Sequence, residues 1–85
     1  MLVSAQIRAA RALLHWSAAD LSQASSVSLS TIRRAESTDP TGTMTVANAL
    51  AVRHALEAAG VEFIDENGGG VGVRLRKRSV APQIK

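Results

Sequence analysis

The sequence predicts a mainly α fold, four helices closed by a C-terminal β-hairpin, and three observations carry that prediction. Apolar residues recur at helical spacing from Ile7 to Ala59. Serines, threonines and a Pro/Gly-containing stretch divide that run into pieces that each begin with a capping residue. Beyond Gly60 the apolar period shortens to two, the spacing of a strand.

The first helix is expected to start at a Ser4 cap. Ile7, Ala10 and Leu14 fall at i, i+3 and i+7 on a core-facing stripe with Leu13 beside it, which leaves Arg8 and Arg11 outward. The second begins at Ser17, with Asp20 three residues on in a variant of the capping box, and sends Leu21 and Ala24 inward. Trp16, just before the cap, staples its start. Ser25 and Ser26 make a tight turn that Val27 plugs, and Ser28 caps a third helix with Ile32 and Ala35 inward. Leu29, Ser30, Arg33 and Arg34 then fall on its outer side. Two short capped helices joined by a polar turn, as from Ser17 to Glu36, are a helix-turn-helix pattern. Such a pattern offers one helix to the major groove of DNA while the other braces it.

Asp39-Pro40 and Gly42 mark Ser37 to Thr43 as a loop. Thr45 caps a fourth helix whose core face is read as Val46, Ala49, Leu50, Val52, Leu56 and Ala59, and Gly60 ends it in the left-handed region. Burial of Leu14, Leu21, Ile32, Leu50 and Leu56 is expected to contribute roughly 1.5–3 kcal/mol each before conformational entropy. Val61 to Ile64 and Val71 to Arg76 then flank the turn-forming stretch Asp65 to Gly70 as a hairpin, with Val71, Val73 and Leu75 on one face and Arg74 and Arg76 on the other. A lone hairpin is marginal in water, so it must pack on the helices or pair with the same hairpin of a second chain. The expected outcome is an edge-to-edge homodimer through Val71, Val73 and Leu75. The domain is therefore read as residues 1–76, hairpin 61–76, followed by a basic flexible tail, 77–85.

At 85 residues the chain is one small domain, near the size at which a single core only just suffices. It has no cysteine, which excludes disulfides and thiolate metal sites and suits a reducing cytoplasm. Arg8 and Arg11 interrupt the apolar N-terminus before a signal-peptide core develops, and no uncharged apolar run is long enough to span a bilayer. The net charge of +3 divides into +2 over residues 1–37, −4 over 38–66 and +5 over the remainder. Basic ends around an acidic middle suit a protein that turns its helix-turn-helix and tail toward phosphate; a solvated basic tail is the alternative.

The segment Leu21 to Glu36, with Val27-Ser28, Thr31-Ile32 and Glu36 at their offsets, resembles the Cro/C1-type (XRE) helix-turn-helix family of bacterial and phage regulators. Ile7-Arg8 through Trp16-Ser17 is similar to that family's first helix. With Ala55 to Ile64 and the Asn-Gly-Gly-Gly turn, residues 5–76 resemble a compact rhizobial-type subgroup that ends in a C-terminal hairpin.

The resemblance implies a dimeric cytoplasmic transcriptional regulator, a repressor by default, with its third helix in the major groove of a double-stranded DNA operator. It places Ser28, Leu29, Ser30, Thr31, Arg33 and Arg34 at or near the DNA, with either arginine bidentate to guanine and the hydroxyls on phosphate or base edges. Three positions depart from the family pattern. Ala18 stands where many members have a phosphate-holding Gln, Ser25-Ser26 where Ala-Gly is usual, and Leu29 where a polar reader is usual. Leu29 suits a thymine methyl or a protein groove. An alternative function follows, a helix-turn-helix-fold anti-activator that sequesters a transcriptional activator of quorum sensing or conjugative transfer, docking it through Leu29 and Val27 or the hairpin edge.

An enzyme is not expected, and neither is a cofactor or a metal site. His15 and His54 lie on different helices with no carboxylate at ligand or catalytic spacing. Asn67 to Gly72 lacks the Lys-Ser/Thr end of a phosphate loop and does not lead into a helix. The run Arg74 to Arg78 suits phosphate, a membrane surface or solubility alike.

Overall fold

A computed structural model describes residues 3–37 and 44–76. In these residues the chain forms four helices, α1 (Ser4–Leu14), α2 (Ala18–Ser25), α3 (Leu29–Ala35) and α4 (Val46–Ala58), and then a two-stranded antiparallel hairpin of β1 (Val61–Ile64) and β2 (Gly72–Leu75). The expected loop after Ser37 and the expected tail from Lys77 lie outside the described residues. Among those residues, no helix is long and apolar enough to cross a membrane.

Local chemistry accounts for the helix ends. Ser17 accepts from Asp20 N at 3.0 Å while the Asp20 carboxylate accepts from Ser17 N at 2.9 Å, the reciprocal box read in the sequence. Ser28 and Thr45 cap α3 and α4 through a single bond each, accepting from Thr31 N and Asn48 N. Gly60 takes a φ of +110° after the last turn of α4. The start of α1 differs from expectation. Val3 is the cap residue; it has no side-chain acceptor, so Gln6 N donates to the Val3 carbonyl at 3.0 Å, while Val3 N donates to Gln6 Oε1 at 3.1 Å. Ser4 is already helical and donates instead to the Ser37 carbonyl at 2.9 Å.

Ile7, Ala10, Leu21, Val27, Ile32, Ala35, Val52, Leu56, Val61 and Phe63 form one core, with Leu14, Trp16, Met44 and Val73 packed at its margin. Five inward assignments are corrected. Leu13 and Ala24 are exposed, on α4 Val46 and Leu50 point to solvent at 68% and 49% exposure, and Ala59, just past the helix, is exposed as well. The reason is angular. At about 100° per residue, Leu50 lies about 200° around the helix from Val52. The two cannot share a face, and the contacts of α4 with α2 and β1 select the Val52–Leu56 side.

The hairpin pairs Val61 with Leu75, Glu62 with Arg74, Phe63 with Val73 and Ile64 with Gly72. Cross-strand partners share a face, so Val61, Phe63, Val73 and Leu75 form the inner side and Glu62 and Arg74 the outer. The turn is built by side chains: Glu66 Oε2 accepts from Gly68 N and Gly70 N, both at 3.0 Å, while those glycines take φ of +100° and +94°. Of the two outcomes open to a lone hairpin, packing on the helices is realised. Gln6, buried on α1, donates from Nε2 to the carbonyls of Gly72 at 3.1 Å and Ile64 at 3.5 Å, tying both strands to one helix. Arg76 Nη2 donates to the Glu57 carbonyl, and the Arg53 guanidinium lies 5.2 Å from the Phe63 ring centre.

Candidate nucleic-acid interface

The turn between α2 and α3 is held by three serines. Ser26 adopts φ 62° and ψ 22°, the left-handed conformation usually given to glycine, and its N–H donates to the Ser22 carbonyl at 2.9 Å. Ser22 Oγ donates to the Val27 carbonyl at 2.6 Å. Buried Ser25 donates to Leu21 O at 2.7 Å and accepts from Val27 N at 3.2 Å. Val27 is buried at 4% exposure, in the same cluster as Leu21 of α2 and Ile32 of α3. The departure from Ala-Gly in this turn is thus absorbed by hydroxyls that satisfy its backbone.

With Ile32 and Ala35 buried, the helical period turns Ser30, Arg33 and Arg34 away from the core at i, i+3 and i+4. All three are exposed, and Leu29 and Thr31 flank them half-buried. Ser28 Oγ donates to Thr31 Oγ1 at 2.8 Å, which fixes both hydroxyls at the start of the helix. Five of the six residues expected at DNA therefore form one polar strip. Leu29 sits at its edge, and Val27 is not available to join it in an exposed apolar patch.

The far end of α3 is braced by α1. Arg11, read in the sequence as outward, instead reaches Glu36 with two nitrogens, Nε to Oε2 at 2.6 Å and Nη2 to Oε1 at 2.8 Å, while Nη1 donates to the Trp16 carbonyl at 2.9 Å. The Glu36 hydrogen bond raises the Arg11 pKa above its ordinary value, against a smaller loss from burial and with a further gain from the Glu36 charge. Arg8 donates to the Glu36 backbone carbonyl. Sequence reasoning missed this brace because two residues 25 positions apart carry no mutual signal until the helices are packed.

Charge on the described surface divides accordingly. Arg8 and Arg11 are committed to Glu36, Arg53 to Glu57 at 3.0 Å, Arg74 to Glu62 at 2.8 Å and Arg76 to the Glu57 carbonyl. Arg33 and Arg34, among the described residues, are the arginines that bond to nothing in their own chain. No family model, curated protein or solved structure matches this chain. Chemically, the strip offers two free guanidiniums and a row of hydroxyls, a set suited to phosphate and to the acceptor edge of guanine. Ala18, packed at the core margin, adds no donor. His15 and His54 are both exposed, one at the end of α1 and one on α4, and no group of acidic or imidazole side chains among the described residues is placed to hold a metal.

Proposed function

We propose that this protein is a DNA-binding transcriptional regulator that places α3 in the major groove, with Arg33 and Arg34 reading or anchoring the operator and Ser28, Ser30 and Thr31 contacting phosphate or base edges. One observation carries the reading: the arginines left unpaired on the described surface are adjacent on the outer row of α3, while the others are folded back onto carbonyls and carboxylates. A guanidinium that is unpaired and exposed is ready for a bidentate acceptor without first breaking an internal bond. Burial of Val27 removes half of the apolar patch that would dock an activator on this face, the hairpin edge being the other route of that reading, and so favours DNA over an activator protein as the occupant of this face.

The test is recovery of fragmented genomic DNA by the purified protein at low and near-physiological salt. Phosphate-only attraction collapses as salt rises, whereas base readout leaves preferred sites. Recovery of a defined sequence motif at the higher salt supports the reading. Recovery of salt-sensitive background alone overturns it and moves the search to protein partners.

A further inference from the structure

The turn of the hairpin brings together the groups of a self-reaction. Asn67 is followed by Gly68, which has no side chain to hinder approach of its nitrogen to the Asn67 carboxamide, and residues 65–71 are all exposed. A Cβ placed on Gly68 would meet nothing within 4 Å, so the space around it is open. Two hydrogen bonds fall on the atoms that would react. Glu66 Oε2 accepts from Gly68 N at 3.0 Å, which sets a carboxylate on the proton that this nitrogen must lose to become a nucleophile. Gly69 N donates to Asn67 Oδ1 at 3.3 Å, which sets a donor on the oxygen that gains negative charge when Asn67 Cγ is attacked. Gly70 N donates to the same Glu66 oxygen at 3.0 Å and holds the carboxylate in place. Base, electrophile, nucleophile and oxyanion donor are thus supplied by consecutive residues, Glu66 to Gly69.

We propose that Asn67 is a self-modification site, at which the turn catalyses its own deamidation through a succinimide formed between Asn67 and Gly68. Gly68 N bonds to Asn67 Cγ as its proton passes to Glu66 Oε2. The Cγ–Nδ2 bond then breaks, and Nδ2 takes that proton and leaves as ammonia, which restores the carboxylate. Solvent water is the sole co-reactant. It opens the ring at Cγ to give an aspartyl residue at position 67, or at the main-chain carbonyl carbon of the same residue to give an isoaspartyl one. The chain contains its own comparison. Asn48, the other asparagine of the sequence, lies in α4, where the nitrogen that would have to attack, Ala49 N, donates to the Thr45 carbonyl at 2.9 Å. That neutral carbonyl does not take up the proton, and the helical backbone points the N–H along the axis. At the turn, the product adds one negative charge beside Asp65 and Glu66 and, in the isoaspartyl form, one methylene to the main chain. The strands are held independently, by Gln6 on the Gly72 and Ile64 carbonyls and by Phe63 in the core, so the change is confined to the turn. The proposal is independent of whether α3 reads DNA.

The test follows the purified full chain over time at neutral pH. Peptide mapping by mass spectrometry reads the two asparagines separately, and enzymatic methylation counts isoaspartyl residues. Asn67 should convert while Asn48 stays intact. Conversion of Asn67 should be faster in the native chain than in the same chain unfolded in urea, where base and donor are both displaced. Glu66→Gln keeps a side-chain oxygen at the turn but cannot take up a proton, and it should slow conversion about tenfold or more. Conversion no faster in the native chain than in urea, conversion no slower in Glu66→Gln, or loss of Asn48 at the rate of Asn67 would each overturn the proposal. The comparison of native with unfolded chain needs no variant, so it decides the matter even where Glu66→Gln loosens the turn.

Discussion

The Arg11 guanidinium grips the Glu36 carboxylate through two nitrogens at 2.6 and 2.8 Å, and in doing so ties the end of α3 to α1. Glu36 is the residue that ends α3, and Arg11 lies in the last turn of α1. The pair therefore connects the helix proposed to read DNA to the helix behind it, with side-chain exposures of 22% and 10%. Replacing Glu36 with Gln, or Arg11 with Met, leaves a partly buried charge without its partner and should cost about 2–3 kcal/mol in urea unfolding. The double replacement should recover part of that loss, since neither charge is then stranded. Full additivity of the two single losses would mean that the pair does not act as a unit.

Arg33 and Arg34 should behave in the opposite way. Changed together to Ala, they leave the core untouched, so stability should move by no more than about 0.5 kcal/mol. Selective DNA recovery should be lost, and each phosphate contact removed should flatten the salt dependence by about one unit of log–log slope. An unaltered binding profile would take both residues out of the interface.

Ser26 holds a left-handed backbone at φ 62°, where a Cβ is unfavourable. Ser26→Gly should raise stability by about 0.5–1 kcal/mol, and a β-branched residue such as Val should lower it by more. His15, at φ 58° at the end of α1, predicts the same sign for His15→Gly. Thermal unfolding of the variants reads the effect directly, and a destabilised Ser26→Gly protein would show that the turn gains more from the serine hydroxyl than it loses in backbone strain.

The hairpin should weaken in acid. The Arg74 hydrogen bond, and then its positive charge, hold the Glu62 pKa below the usual carboxylate range. A carboxyl whose pKa falls on folding contributes stability above its unfolded value, and that contribution is lost as pH drops through the lowered folded value. Because Glu62 is an exposed residue, the effect is local and small. In a side-chain NMR titration, Glu62 should titrate low in the native protein and return toward the ordinary range in Arg74→Gln. An unchanged titration in that variant would show that the cross-strand pair does not form in solution.

Leu50 and Leu56 test where the core lies. Leu56 is fully buried, and Leu56→Ala should cost roughly 2–5 kcal/mol, enough to unfold much of so small a domain. Leu50→Ala should stay within about 0.5 kcal/mol of the native protein, since that side chain is half exposed. Chemical denaturation of the two variants separates a core on the Val52–Leu56 side from one that includes Leu50.

Local signals carried much of this molecule. Helix starts at Ser17, Ser28 and Thr45, the glycine end of α4 and the turn before β2 could be read residue by residue, because a cap, a breaker or a strand period acts over a few positions. Val27, Ile32 and Ala35 were legible as core for the same reason, and with them the outward row of Ser30, Arg33 and Arg34. The α4 face was less legible, since an alanine- and valine-rich helix has apolar residues on several sides and only its neighbours decide which side is covered.

The chain by itself determined the number and order of its elements and the exposed polar strip on α3, because those follow from interactions between near neighbours. The tertiary structure alone decided that Arg11 turns inward to Glu36, that Gln6 binds both strands of the hairpin, and that Arg33 and Arg34 are left unpaired. The first two depend on groups far apart in the chain meeting at hydrogen-bond distance, and the third on no such group among the described residues coming within reach of Arg33 or Arg34; no local pattern encodes either outcome.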